Sequence, residues 1–308
     1  MNIHSHSLPS SGKLTYTLTN DYLFRAAIQK NPEASKGLVA ALLDIPLESI
    51  QELIVANPII LGEKVEDKDC ILDIRLLLNN HTQINLEMQV GNLGNWTMRS
   101  VYYLSRLFTN LQSGKNYREA LPSIHIGILT HTLFPENPQF YSKNYIIDEK
   151  THHVYTRNFG IHVLDLSQIN NVSEEEKHTA LYYWARMFLA TTWEEVHAMA
   201  EKSDSLQSFS FTLKELSEDE QIRLRCEARE RYYADQENAV HTGFQNGYKS
   251  GYSNGYDKAS DSVLQLCSLL IEAGRIDDIK RCQTDNSFRE TLLKEFHLVA
   301  ADDPLSES

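Results

Sequence analysis

The chain has 308 residues, 42% apolar and 23% charged, a composition that excludes disordered and fibrous classes and leaves a folded protein with one or two packed cores. No run of eighteen apolar residues occurs, and Met1 to Gly12 has no basic segment leading into an apolar one, so a cytoplasmic protein that is neither exported nor inserted in a membrane is expected. The net charge of −13 runs against close nucleic-acid contact over the whole surface. It is unevenly spread, however: residues 1–170 carry 14 Lys+Arg against 16 Asp+Glu, which leaves 15 against 26 for residues 171–308.

In chain order, Asn20-Asp21-Tyr22-Leu23-Phe24 leads from a polar cap into a first helix. A second helix is predicted from about Glu33 to Leu43 and must stop before Pro46. The period then changes to that of strands. Leu53 to Ile60 is a β-rich apolar run, and Cys70 to Leu78 and Thr82 to Val90 alternate on either side of Asn79-Asn80-His81, the pattern of a hairpin. Leu93 to Leu111 returns to helical spacing, with Gly114 as its C-cap. Strands follow at Ser123 to Thr130 and Ile161 to Leu166, with a polar irregular or hairpin segment between them. Ser173-Glu174-Glu175-Glu176 predicts a helix start, and the rest of the chain reads as helical. This order gives an α/β or α+β core followed by an all-helical C-terminal region.

Residues 243–256 hold an internal repeat, in which Gly243, Gly247, Gly251 and Gly255 are each followed by Phe244, Tyr248, Tyr252 or Tyr256. Two readings stand. Either the glycines weaken the segment into a linker or loose helix, or they line a helix face that self-associates; it is too polar to span a membrane. Cys70, Cys226, Cys267 and Cys282 lack metal-site spacing and read as buried free thiols. His125 and His162 fall in apolar strands and are expected as core histidines, His152-His153 as loop residues, and Leu181, Trp184 and Phe188 as a core stripe.

The chemistry concentrates in the hairpin. Alternation puts Ile84, Leu86, Met88 and Val90 on one face of its second strand and Gln83, Asn85, Glu87 and Gln89 on the other. A three-residue loop pairs Leu78 with Thr82, and counting outward sets Asp73 opposite Glu87. Two carboxylates so placed repel unless a cation lies between them, and Mg²⁺ or Mn²⁺, bound by one or two carboxylates with substrate phosphate oxygens, is the natural candidate. The competing reading is a solvated strand face on which Arg75 neutralises the acids. A two-residue turn would also remove the direct pairing.

Asp73 followed by Glu87-Met88-Gln89 resembles the D…(D/E)-x-K signature of PD-(D/E)XK nucleases in an E-x-Q form. Asn20-Asp21-Tyr22-Leu23-Phe24-Arg25, Asp69-Cys70-Ile71-Leu72-Asp73-Ile74, Leu86-Glu87-Met88-Gln89, Arg99, Tyr103, the Gly114 to Tyr117 turn and the Ile124 to Leu129 strand together resemble the recombination-promoting nuclease/transposase family over roughly residues 15–170. The resemblance implies a restriction-endonuclease-like core, a mixed sheet flanked by helices, over 15–170, a helical extension over 171–240, and the repeat with C-terminal helices over 241–308. It implies Mg²⁺- or Mn²⁺-dependent cleavage of DNA in recombination or transposition, with Asp73 and Glu87 as metal ligands. Gln89 stands where most members have lysine and orients water or a phosphate oxygen through its amide. Arg99 supplies the missing charge to phosphate, unless it is an ordinary surface arginine, and Asp21 is an auxiliary acid or a helix cap. A catalytically degenerate module that binds nucleic acid or protein is the rival to the enzyme, and a homo-oligomer assembled through the C-terminal helices is the expected quaternary contact.

Overall fold

A computed structural model describes residues 7–56, 74–91, 94–109 and 116–298. The chain divides into two compact units, Met1–Tyr232 and Tyr233–Ser308. No helix among the described residues is long and apolar enough to cross a membrane.

In the first unit Asn20 caps α1 (Asp21–Lys30) by accepting from the Leu23 amide, and Asn31 caps α2 (Pro32–Leu43), whose first residue is a proline that has no N–H to lose. A six-stranded sheet follows in the order β1-β2-β3-β4-β6-β5, built from β1 (Leu53–Val55), β2 (Ile74–Leu78), β3 (Thr82–Gln89), β4 (Ser123–Leu129), β5 (Tyr141–Ile147) and β6 (Val154–Asp165). β1, β2 and β3 are antiparallel neighbours, β3, β4 and β6 run parallel, and β5 closes the edge antiparallel to β6. Between β3 and β4 the chain makes α3 (Trp96–Phe108), the crossover that a parallel pair requires.

The β2–β3 hairpin has the predicted register, with Leu78 opposite Thr82 and Ile74 opposite Leu86. Asn79 (φ 49°) and Asn80 (φ 52°) take the left-handed turn conformation that asparagine tolerates, and the Asn79 carboxamide oxygen accepts from the amides of Gln51 and Glu52 at the approach to β1. Asp73 and Cys70 lie outside the described residues, as does Gly114.

One sheet face is apolar over its first four strands, and on β6 it carries His162 beside Leu164. Ile74, Leu76, Ile84, Leu86, Met88, Ile126, Ile128 and Leu164 share a core with Phe24, Leu38, Trp184 and Phe209. The last two come from α4 (Ala180–Leu189) and α6 (Asp204–Glu218), which with α5 (Trp193–Ala200) follow the sheet. Edge-to-face contacts, Phe24 to Phe188 at 5.5 Å and Trp184 to Phe209 at 5.1 Å, fix this packing. The expected core stripe is present, with Trp184 and Phe188 fully buried.

Two local expectations sharpen. Of the irregular and hairpin readings of the segment between the fourth and last strands, the hairpin is the one present: β5 pairs with β6 through two register irregularities, and β6 begins earlier than its apolar half suggested. His162 is the core histidine expected. Tyr141 gives its only hydroxyl hydrogen to the Leu42 carbonyl, so it accepts from His162 Nδ1, while Tyr145 donates to Nε2, both at 2.9 Å. Second, Ser173 and Glu176 do cap each other reciprocally, but around a single 3₁₀ turn, Glu176–His178; α4 begins at Ala180 behind its own cap, Thr179.

α7 (Glu220–Glu272) contains the repeat, so the segment is helical. Phe244, Tyr248, Tyr252 and Tyr256 are exposed, and a Cβ at any of its four glycines would meet nothing within 4 Å. In the second unit Gly274 (φ 68°) ends α7, and α8 (Ile276–Thr284) and α9 (Asn286–Glu295) pack Cys282 and Leu292 on Leu266 and Leu270. Cys226, Cys267 and Cys282 are free, and Cys267 is only half-buried.

Candidate active site

The second face of β3 carries Asn85, Glu87 and Gln89, and it is not a solvated face. Their exposures are 2%, 3% and 5%, because α3 lies across them. Trp96, Ser100, Leu104 and Leu107 recur at helical spacing as the buried side of α3, and this turns Arg99 and Tyr103, one turn apart, toward Glu87 and its polar neighbours on β3.

Arg99 is the organising charge. Its Nη2 meets Glu87 Oε1 at 2.5 Å and its Nη1 donates to Gln89 Oε1 at 3.2 Å, so one guanidinium holds both predicted β3 residues. The planar fork suits this double contact in a way that lysine would not. The ring of Tyr103 lies under the guanidinium carbon at 5.5 Å. The other end of Gln89 donates to the Gly91 carbonyl at 3.3 Å, which fixes the amide. About a third of the Arg99 side chain remains exposed, enough for an anionic ligand to reach it.

His125 on β4 completes the cluster. It pairs with Asn85 across the parallel ladder and is fully buried. Burial, with the Arg99 charge adding to it, pulls its pKa down to about 3, so the ring is neutral. Asn85 Nδ2 lies 3.0 Å from Nδ1, and Nε2 lies 3.8 Å from Glu87 Oε2. The rings of Trp96 and Tyr103 pack against the imidazole, with centroids 5.3 and 6.2 Å away.

Close approach of α3 to the sheet depends on Gly127, the β4 residue opposite Glu87. A Cβ there would come within 2.1 Å of Trp96 Cζ2, so the indole occupies the space that any other residue would fill. Replacing such a buried polar cluster with well-packed apolar side chains is often neutral or stabilising. Fold stability therefore does not account for it.

The donor set is one of hard oxygens, a carboxylate and an amide carbonyl, which matches a cation of the Mg²⁺ class, commonly held by one or two carboxylates, waters and substrate oxygens. Among the described residues no three His, Cys, Asp or Glu side chains form a protein cage for a metal. The set fits an ion shared with substrate.

Residues 18–243 match the family model for the PD-(D/E)XK nuclease family transposase. The chain belongs to that family. The match includes the hairpin, α3 and the parallel strands, and membership in the PD-(D/E)XK nuclease transposases supports a nuclease or transposase-like role. No curated protein and no solved structure matches the chain.

Of the predicted residues, the fold brings Glu87, Gln89 and Arg99 together. Asp21 stands in a different contact: Arg229 of α7 grips it with two bonds, Nε to Oδ1 at 3.0 Å and Nη2 to Oδ2 at 2.5 Å. The helix cap is its neighbour Asn20, whose amide also donates to the Cys226 carbonyl. Beside this pair burial pushes the Cys226 thiol up to about 12, with Glu230 and Asp21 adding to it. Sequence reading missed His125, Trp96 and Gly127. Asn85 was visible as a member of the polar face, but nothing in its own segment pointed to a partner forty residues on.

Proposed function

We propose that this nuclease-family protein is a divalent-metal-dependent endonuclease that hydrolyses DNA phosphodiester bonds with little sequence preference, in recombination or transposition, and that it works in the cytoplasm. The observation that carries the reading is the convergence of Glu87, Gln89 and Arg99 in a buried polar cluster beneath α3, in a chain whose family is one of nucleases.

Glu87 and Asp73, the residue just before β2, hold Mg²⁺ or Mn²⁺ in this reading. The ion supplies Lewis acidity toward the scissile phosphate and lowers the pKa of bound water. The rest is done by the chain's own residues. Arg99, partly exposed and always charged, binds a phosphate oxygen and places the backbone against Glu87. Gln89, held at both ends, orients the attacking water or a phosphate oxygen through its amide, and takes the place of the more usual lysine without its charge. α3 and Trp96 limit water around the acid, which strengthens these interactions. Asp21, committed to Arg229, ties α1 to α7 and takes no part in the chemistry. The exposed aromatic row of α7 serves self-association, as large apolar side chains left open in a row mark contact surfaces.

The test is nicking of supercoiled plasmid in Mg²⁺ or Mn²⁺ by the wild-type, Asp73→Ala and Glu87→Ala proteins. Cleavage by the wild type alone is expected. Equal nicking by all three would trace the activity to a contaminant and remove the assignment.

A further inference from the structure

His125 is not needed to bind an ion or a phosphate in the reading above, yet more contacts converge on it than a space-filling histidine requires. It sits on the strand next to Glu87, opposite Asn85, with the rings of Trp96 and Tyr103 both packed against its own. An amide nitrogen has only hydrogens to offer, so the 3.0 Å contact from Asn85 Nδ2 makes Nδ1 the acceptor and leaves the ring hydrogen on Nε2. Nε2 lies 3.8 Å from Glu87 Oε2, and the two buried atoms are not hydrogen-bonded at that distance. The opposite arrangement, with the amide turned over and the hydrogen on Nδ1, would set the Nε2 lone pair against a carboxylate in a buried site, which is repulsive.

The two oxygens of Glu87 are thus addressed separately, Oε1 by the Arg99 guanidinium at 2.5 Å and Oε2 by the imidazole. The 3.8 Å separation is too short for a water to stand between the groups. It lies less than about 1 Å beyond an ordinary hydrogen bond, a gap that a small side-chain rotation closes.

We propose that His125, held by Asn85 as the Nε2–H tautomer, is a positioning residue that donates to Glu87 Oε2 and fixes the carboxylate in the orientation in which it binds the divalent ion. The inference rests on the metal-dependent reading of the site. Partners that orient a ligating side chain in this way typically change metal affinity or activity by about 10–100-fold when removed. Asn85 acts one step further out, through the tautomer.

The experiment measures Mn²⁺ affinity of the full-length protein without DNA, by calorimetric titration, together with plasmid cleavage and far-ultraviolet circular dichroism. Four variants are compared: Glu87→Gln, His125→Phe, His125→Gln and Asn85→Leu. Glu87→Gln should abolish the Mn²⁺ site. His125→Phe, which keeps a ring against Trp96 and Tyr103 but has no N–H, should weaken Mn²⁺ binding by about 10–100-fold in a folded protein. His125→Gln, whose amide can donate from nearly the same place, should recover most of that loss; a residue that only fills space would show no such rescue. If His125→Phe does not fold, Asn85→Leu asks the question with the imidazole in place, and weaker Mn²⁺ binding is again expected. Nitrogen-15 spectra of histidine-labelled protein should show His125 protonated on Nε2.

The positioning role alone is overturned if Glu87→Gln abolishes the site while folded His125→Phe or Asn85→Leu binds Mn²⁺ as the wild type does, or if the spectra place the hydrogen on Nδ1. If the wild type binds no Mn²⁺, or Glu87→Gln binds it normally, the metal-dependent reading falls and takes the role of His125 with it.

Discussion

Gly127→Ala tests whether α3 is seated on the sheet as closely as the site requires. The added Cβ would lie 2.1 Å from Trp96 Cζ2, 2.4 Å from Cη2 and 3.1 Å from Cε2, whereas carbon atoms settle at about 3.5–4.0 Å. The indole must therefore retreat by roughly 1.5 Å. It has little room to do so, being 4% exposed and packed with Leu129 and Val163. Overpacking of this kind costs about 1–3 kcal/mol, and a clash this deep belongs in the upper part, about 2–3 kcal/mol. In a unit of this size that lowers the melting temperature by on the order of 4–12 °C. Thermal and urea denaturation would measure it. In a Trp96→Leu background, where the obstructing ring is gone, the same change should cost less than about 0.5 kcal/mol, a coupling that a double-mutant cycle isolates. Because Trp96 also flanks His125, the single variant should bind Mn²⁺ more weakly. A Gly127→Ala protein with wild-type stability and wild-type Mn²⁺ affinity would refute the argument that this close approach builds the site.

Three further outcomes are expected. Asp21→Asn removes the charge that Arg229 grips in a nearly buried pair, so stability should fall by about 3–5 kcal/mol while the cleavage rate per folded molecule stays the same; a folded variant that has lost cleavage would restore Asp21 as an auxiliary acid. His162 is held neutral, its pKa drawn down to about 4 by burial with Lys143 adding to it; because the unfolded chain takes up that proton at about 6.5, its stabilising contribution is complete above about pH 6.5 and is lost as the pH falls toward 4, by up to about 1.4 kcal/mol per unit. His162→Gln should be less stable at pH 7 but show a shallower acid slope in urea titrations, and parallel slopes would contradict this. Gly247→Ala with Gly251→Ala, at positions open to a Cβ, should raise helix stability by about 1 kcal/mol per site and, if copies approach along the glycine row, reduce the molar mass seen by light scattering. A mass unchanged both by these substitutions and by deletion of residues 240–308 would remove the self-association proposal.

The parts of the site that sequence reveals are those set by neighbours along the chain. Alternation put Glu87 and Gln89 on one face, and the Asn79-Asn80-His81 loop, whose asparagines accept positive φ, set a register that the fold keeps from Leu78–Thr82 to Ile74–Leu86. Alternation could not say whether the polar face met water or protein. That depends on α3 folding back over β3, where Arg99 meets residues ten and twelve positions before it, and on Gly127 making room for Trp96, thirty-one positions away. The same holds for His125, whose partnership with Asn85 follows from a parallel register that no local turn determines. β5 could not be told from irregular structure, because an edge strand half open to solvent keeps lysine and asparagine among its tyrosines and shows no apolar alternation. Ser173 and Glu176 form the reciprocal cap that their spacing suggests, yet a cap does not commit the following residues to α-helix. At the repeat, the glycines left a linker, a loose helix or a self-associating helix face open, and the chain is helical there.

The most direct test of the central claim is Mn²⁺ titration of the folded wild-type, Asp73→Asn and Glu87→Gln proteins, with circular dichroism to establish that each is folded. Two acids that share one ion should each be indispensable, so the expected result is a saturable site in the wild type that both substitutions abolish. Wild-type Mn²⁺ affinity in either folded variant would contradict the account.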